Sequence, residues 1–153
     1  MAVVGPGRAH PDDVATASAL GARLAERGAV IVCGGLGGVM EAACRGAKSA
    51  GGMTIGILPG ASRKEGNRWL DAAVATGLGE ARNAIVVRAA DAVIAVGGEF
   101  GTLSEIALAL QAGKPVVGVG TWTLARPGIE RDPVVRAADA AEAVEAAMRQ
   151  LRR

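Results

Sequence analysis

The chain contains 153 residues, of which 50% are hydrophobic and 21% are charged, and its formal net charge is +2. This composition excludes a disordered chain, and the length fits one domain over residues 1–153 whose core needs no metal or disulfide. The weak charge, together with one Phe, two Trp and no Tyr, argues against a nucleic-acid partner, which needs a basic track and aromatic stacking platforms.

Short runs of aliphatic residues recur along the chain and predict the strands of one sheet. Most of these runs are continuously apolar, which is typical of parallel strands that are covered on both faces by helices. The sequence therefore predicts an α/β fold with a doubly wound, mainly parallel sheet of six or seven strands and helices on both faces. The predicted strands are residues 2–5, 29–33, 54–58, 72–76, 92–96 and 115–119, with a weaker seventh at 133–136.

Helical periodicity appears between the strands. Asp139 is predicted as the N-cap of the last helix. The helix that follows the fifth strand is expected to bury Leu103, Ile106, Ala107 and Leu110. One stretch, residues 59–69, lacks this periodicity and is rich in charge, which fits either a solvated connection or a lid over a site. The predicted helices are residues 12–27, 38–51, 102–112 and 139–152.

Several classes of site and location are excluded by what the chain lacks. A single histidine, His10, leaves no His-based metal site and no Ser-His-Asp triad, so no metal site is expected. Cys33 and Cys44 have no metal-binding spacing and are expected to be buried thiols. No apolar run reaches the roughly 18 residues of a membrane helix, and no cleavable leader is apparent. We therefore expect a cytoplasmic protein without a membrane partner.

Four glycine-rich turns fall at the carboxyl ends of the predicted strands, at residues 3–9, 34–43, 76–83 and 97–105. Glycines in such turns let backbone N–H groups face a ligand, and the helix N-termini that follow add positive potential. Tight turns also need glycine for steric reasons alone, but four at one sheet edge favour a site for a phosphate-bearing ligand. The candidate binding residues are Gly5, Gly7, Arg8, Gly34, Gly35, Gly37, Gly38, Glu41, Thr76, Arg82, Asn83, Gly97, Gly98, Gly101 and Thr102.

Two familiar nucleotide-binding motifs do not fit these turns. The first turn resembles the dinucleotide fingerprint, but His10 stands where that motif has its third glycine. The acidic residue that binds ribose is also missing after the second strand, where Cys33 is followed by glycines. A P-loop is excluded because no glycine-rich turn continues into Lys-Ser or Lys-Thr.

Three charged side chains in these turns have both a structural and a functional interpretation. Glu105 would close a capping box with Thr102, or it would face the ligand. Arg82 is either a surface arginine or the partner of a phosphate or carboxylate. Glu41 either stabilises a helix N-terminus or lines the crevice.

Together the four turns resemble the Rossmann-like superfamily once described as lysine decarboxylase-like. It includes the LONELY GUY phosphoribohydrolases, which activate cytokinins, and the molybdenum cofactor carrier proteins. The segments 34–43, 51–60, 76–83 and 97–110 look most similar to the carrier branch and its bacterial relatives. This resemblance implies a protein without a required cofactor that binds the molybdenum cofactor or a nucleoside monophosphate, and that forms a homodimer or a larger homo-oligomer.

The hydrolase branch gives a second implication. Gly97, Gly98, Gly101, Thr102 and Glu105 match its PGGxGTxxE motif with one extra residue, and Val96 replaces the proline. Arg82, in the sequence EARN, matches its upstream arginine. By this resemblance Arg82 and Glu105 would be catalytic in cleaving the N-glycosidic bond of a nucleoside monophosphate. A third hypothesis is a nucleotide-sensing or structural module without turnover.

Overall fold

The computed structural model describes residues 1–128 and 130–152, and its strands form one parallel sheet. The strands are β1 (Ala2–Val4), β2 (Ile31–Cys33), β3 (Thr54–Leu58), β4 (Ala72–Ala75), β5 (Val93–Val96), β6 (Val116–Val119) and β7 (Val135–Arg136). They lie in the order β4-β3-β2-β1-β5-β6-β7, and each neighbouring pair is parallel. The predicted doubly wound α/β fold is confirmed, with seven strands among the described residues.

Local sequence signals explain where the first and the last helix begin. Pro11 occupies the first turn of the first helix, where its missing N–H costs nothing. Asp139 caps the last helix, as predicted, because its Oδ1 accepts from the backbone N–H of Glu142 at 2.9 Å. No helix in the described residues is long and apolar enough to cross a membrane. The α-helices are α1 (Pro11–Glu26), α2 (Gly38–Ser49), α3 (Asn83–Arg88), α4 (Phe100–Gln111) and α5 (Ala140–Leu151).

Two apolar layers hold the helices on the sheet. Side chains alternate along a strand, so Val3 of β1 faces one layer while Ala2 and Val4 face the other. The first layer contains buried residues of α1, α2 and α5, and the second contains those of α3 and α4. Both faces of the sheet are therefore covered, which explains the continuously apolar strands.

The structure differs from the sequence prediction at α3 and α4. The six-residue helix α3 is not among the predicted helices, and it begins at the last residue of the predicted turn at residues 76–83. Helix α4 begins at Phe100, two residues before the predicted start. Ile106 is buried as predicted, and Leu110 packs partly buried against the core, whereas Leu103 is only half-buried and Ala107 is exposed. The other buried residues of α4 are Thr102, Glu105 and Ala109.

Candidate functional site

A cavity of about 310 Å³ opens at the carboxyl ends of the central strands. Strands β2 and β5 lie on either side of β1, so the direction of the winding reverses here. Ligands of doubly wound proteins bind at such switch points. The cavity volume lies at the lower end of the range for small-molecule sites, roughly 300–1,000 Å³.

Parts of all four predicted turns meet in this cavity. The turn after β1 contributes backbone at Gly5 and Gly7, and the segment before α3 contributes charged and polar side chains. The turn after β2 and the start of α2 contribute Leu36 and Met40, and the turn after β5 and the first half of α4 form the remaining wall. The predicted residues that line the cavity are Gly5, Gly7, Arg82, Asn83, Gly101, Thr102 and Glu105.

The other predicted residues lie beside the cavity or support its wall. Thr76 Oγ1 donates to the Leu58 carbonyl at 2.7 Å, so its hydroxyl is engaged within the protein. Gly98 lies under Trp122, since a Cβ there would be 2.7 Å from the indole Nε1. The predicted residues outside the lining are Arg8, Gly34, Gly35, Gly37, Gly38, Glu41, Thr76, Gly97 and Gly98.

Seven lining residues were missed by the sequence analysis, namely Pro6 and six others. Except for Pro59 they lie within the predicted turns, but they were not singled out there as candidate binding residues. Pro59 belongs to the 59–69 segment, which is fastened to the β2–α2 turn by Asn67. The backbone N–H of Asn67 donates to the Gly35 carbonyl at 2.9 Å, and the Nδ2 of Asn67 donates to the Leu36 carbonyl at 3.0 Å. Besides Pro6, the missed residues are Leu36, Met40, Pro59, Gly79, Glu80 and Glu99.

Most glycines around the cavity have a steric reason to be glycine. A Cβ on Gly5 would lie 2.6 Å from the Val96 carbonyl oxygen, and one on Gly38 would lie 2.2 Å from that of Pro6. Gly101 is different, because a Cβ there would meet nothing within 4 Å. Glycine in a helix costs about 1 kcal/mol relative to alanine. The protein's own packing therefore gives no reason for glycine at this wall of the cavity.

Arg82 lines the cavity with a buried guanidinium. The residue is 8% exposed, and its Nε and Nη1 have no hydrogen-bond partner among the described residues. Its position depends on Gly34, since a Cβ there would lie 2.0 Å from Nη1. Burial lowers the pKa of Arg82, and the negative charge of Glu105 opposes that change. Buried donors without acceptors are costly, and the described residues do not compensate for the burial of this guanidinium.

Glu105 lies on the buried face of α4 and is 7% exposed. Burial raises the pKa of Glu105 to about 7, while the positive charge of Arg82 acts in the opposite direction. The ion pairs within the described part of the chain do not include Arg82 with Glu105. Near neutral pH, Glu105 therefore exists in two forms: an ionised carboxylate that only accepts hydrogen bonds, and a protonated carboxyl group that can also donate one.

The capping-box interpretation of Thr102 and Glu105 is wrong. The N-cap of α4 is Glu99, so Thr102 is the third residue of the helix. Glu105 lies three residues further along and cannot occupy the third helical position that a capping box requires. Its burial at the cavity thus has no explanation in helix capping.

The charges around the cavity are mixed. Helices α2 and α4 begin beside it and direct their positive ends towards this edge of the sheet. Arg82 adds one cation, whereas Glu80, Glu99 and Glu105 add carboxyl groups. No cluster of three or more His, Cys, Asp or Glu in residues 1–128 and 130–152 is arranged to hold a metal ion. The arrangement suits a ligand that carries both an anionic group and hydrogen-bond donors.

Comparison with known families identifies the fold and its relatives. The model described as the SLOG cluster4 family matches residues 1–148. The chain belongs to the SLOG cluster4 family. A relative in this chain's size range, an uncharacterised protein of Archaeoglobus fulgidus, is 46% identical over 121 residues, which cover 78% of each chain.

Solved structures similar to this SLOG cluster4 protein include two proteins that handle the molybdenum cofactor. The molybdenum cofactor binding protein of Rippkaea orientalis is 39% identical, with a TM-score of 0.90 and coverage of 98% of this chain and 95% of that chain. The molybdenum cofactor carrier protein of Chlamydomonas reinhardtii is 38% identical, with a TM-score of 0.86 and coverage of 99% and 97%. The predicted resemblance to the carrier branch is thereby confirmed.

Proposed function

We propose that this protein binds the molybdenum cofactor, or a closely similar phosphate-bearing pterin, in the cavity at the switch point. The observation that carries the proposal is the buried Arg82 guanidinium, whose Nε and Nη1 lack partners in residues 1–128 and 130–152. The similarity to the cofactor-binding proteins of Rippkaea orientalis and Chlamydomonas reinhardtii names the class of ligand. In this proposal the cofactor is cargo, and the protein performs no chemistry on it.

Each part of such a ligand has a complementary group in the cavity. Arg82 donates to the phosphate through its free guanidinium N–H groups, since arginine matches the geometry of phosphate oxygens. The α4 N-terminus supports the same charge. The N–H donors of the heterocycle meet the carboxylates of Glu80 and Glu99 at the rim.

Gly101 supports the same assignment through the space beside it. Gly101 lines the cavity, and a Cβ there would meet no protein atom within 4 Å. Glycine at this position therefore allows a ligand to approach the first turn of α4 closely. We propose that this contact places the phosphate at the helix N-terminus.

A graded substitution series at Gly101 tests the proposal. The protein is titrated with molybdenum cofactor released anaerobically from a molybdoenzyme, and in parallel with AMP. Gly101→Ala adds one methyl group and should weaken binding slightly, whereas Gly101→Val fills more of the cavity and should weaken it at least tenfold, about 1.4 kcal/mol. Equal affinity of the wild type and Gly101→Val would contradict the location of the site.

A second candidate function is cleavage of the N-glycosidic bond of a nucleoside monophosphate. The observation that favours it is the raised pKa of Glu105, about 7, beside Arg82. A carboxyl group with that pKa can exchange a proton with water or a leaving base near neutral pH. Arg82 would hold the phosphate in the same way as in the carrier proposal.

A further inference from the structure

Two cysteines lie in contact directly beneath the β2–α2 turn. The Sγ atoms of Cys33 and Cys44 are 3.5 Å apart, and both residues are fully buried. Cys33 is the last residue of β2, and Cys44 lies in the middle of α2. No disulfide joins them, and they are the two cysteines of the chain.

The surroundings distinguish the two thiols. The backbone N–H of Gly35 donates to Cys33 Sγ at 3.3 Å. The hydrogen bond from Cys44 lowers the pKa of Cys33, which the positive charge of Arg82 also favours. Donating that hydrogen bond raises the pKa of Cys44. Cys33 is thus the better nucleophile, and Cys44 is a thiol within reach of it.

The pair is connected to the cavity through two residues. Gly34, which follows Cys33, lies under the Arg82 guanidinium. Met40 packs against both cysteines and also lines the cavity. A change in the Cys33–Cys44 distance therefore acts on the backbone that supports Arg82.

We propose that Cys33 and Cys44 form an oxidation site that closes to an intramolecular disulfide with hydrogen peroxide and thereby weakens ligand binding in the cavity. The Cys33 thiolate attacks one peroxide oxygen, the O–O bond breaks, and hydroxide leaves, which gives a sulfenic acid on Cys33. The sulfur of Cys44 then attacks the Cys33 sulfur, the S–O bond breaks, and the hydroxyl group leaves as water with the Cys44 proton. The peroxide is reduced to two water molecules, and the two thiols are oxidised to one disulfide.

The disulfide would alter the site because its geometry differs from the contact in the reduced protein. A disulfide has an S–S length of about 2.05 Å, so the sulfurs must approach each other from their 3.5 Å contact. This movement pulls the end of β2 towards α2 and shifts Gly34 beneath Arg82. The effect on affinity rests on the proposed function, whereas the formation of the disulfide does not.

Intact mass spectrometry of the folded protein tests the oxidation step. After mild treatment with hydrogen peroxide, the wild type should lose two hydrogen atoms and remain a single chain under non-reducing conditions, and dithiothreitol should restore the mass. Cys44→Ser should instead form a sulfenic acid on Cys33 that dimedone traps. The wild-type measurement alone can overturn the proposal. It does so if the mass is unchanged, if oxygen atoms are added, or if the disulfide forms between two chains.

Titration with AMP and with the molybdenum cofactor tests the coupling to the cavity. Affinity for a ligand that binds the reduced protein should fall at least several-fold in the oxidised protein and recover after reduction. Equal affinity in both states would overturn the coupling. If neither ligand binds the reduced protein, the proposed function fails, whereas the mass measurement still decides the oxidation site.

Discussion

Arg82 and Glu105 occupy the floor of the cavity with opposite charges, but neither satisfies the other. Arg82 keeps donors without partners in the part of the chain that the structure describes, and Glu105 is buried beside it in a helix that does not use it as a cap. Burial of this kind lowers stability unless another group compensates. We propose that both residues bind the ligand, which would account for a local cost in stability of the free protein.

The pH dependence of stability should report the burial of Glu105. Its folded pKa of about 7 lies above the ordinary value of 4.5, so the folded state holds an extra proton between these values. The free energy of unfolding therefore falls as pH rises through this window, by a contribution of up to a few kcal/mol at about 1.4 kcal/mol per pKa unit. Glu105→Gln removes this contribution.

Urea denaturation of the wild type and Glu105→Gln at pH 5 and pH 8 measures this effect. The free energy of unfolding of Glu105→Gln minus that of the wild type should be larger at pH 8 than at pH 5, because only the wild type loses stability through Glu105 between these values. A difference between the two proteins that does not change with pH would show that Glu105 does not titrate in the cavity.

Turnover is tested by incubating the protein with AMP and measuring free adenine. We expect no release, because Val96 replaces the proline of the hydrolase motif and Arg82 lies in the sequence EARN. Release of adenine that Glu105→Gln abolishes would instead support the hydrolase, since the variant keeps the shape of the side chain and removes its acid function.

At the scale of elements, α1 and α2 cross at unusually close range. A Cβ on Gly21 would lie 2.0 Å from the carbonyl oxygen of Ala43, and one on Gly46 would lie 1.9 Å from that of Ser18. Both neighbours are backbone atoms, so a side chain could be accommodated only if the helices moved apart. This contact fixes α2, whose N-terminus borders the cavity.

Gly46→Ala should therefore lower the melting temperature by several degrees, although alanine favours helices. Forced overpacking typically costs 1–3 kcal/mol, which exceeds the gain in helix propensity of about 1 kcal/mol. Gly101→Ala is the matched control, because its Cβ meets nothing within 4 Å. That variant should melt at the same temperature as the wild type or slightly higher. A rise in melting temperature with Gly46→Ala would contradict the close contact.

The strands could be predicted because the sheet is covered on both faces. Most strands are continuous apolar runs, and the predicted ranges contain all seven strands of the described residues. Helix α4 was harder, because Thr102 and Glu105 are polar and yet lie on its buried face. Periodicity assigns polar residues to solvent and cannot detect a polar cavity. Leu36, Met40 and Glu99 lie within the predicted turns, but only the fold shows that they line the cavity.

At the scale of the whole molecule, charge and composition limit the partners. The net charge is only +2, and the cavity includes Glu80, Glu99 and Glu105. These carboxyl groups disfavour a polyanion, whose binding needs many neutralised phosphates. In a gel-shift assay at about 0.15 M salt, we expect no micromolar affinity for single-stranded DNA. A shifted band at micromolar protein would contradict this expectation.

The central claim is that Arg82 binds the anionic group of a small ligand in the switch-point cavity. The most direct test compares calorimetric titrations of the molybdenum cofactor into the wild type, Arg82→Gln and the surface control Arg23→Gln. Loss of a charge-assisted hydrogen bond costs about 1.5–3 kcal/mol, so Arg82→Gln should bind about 10- to 150-fold more weakly, while Arg23→Gln should match the wild type. Equal affinity of Arg82→Gln and the wild type would contradict the account.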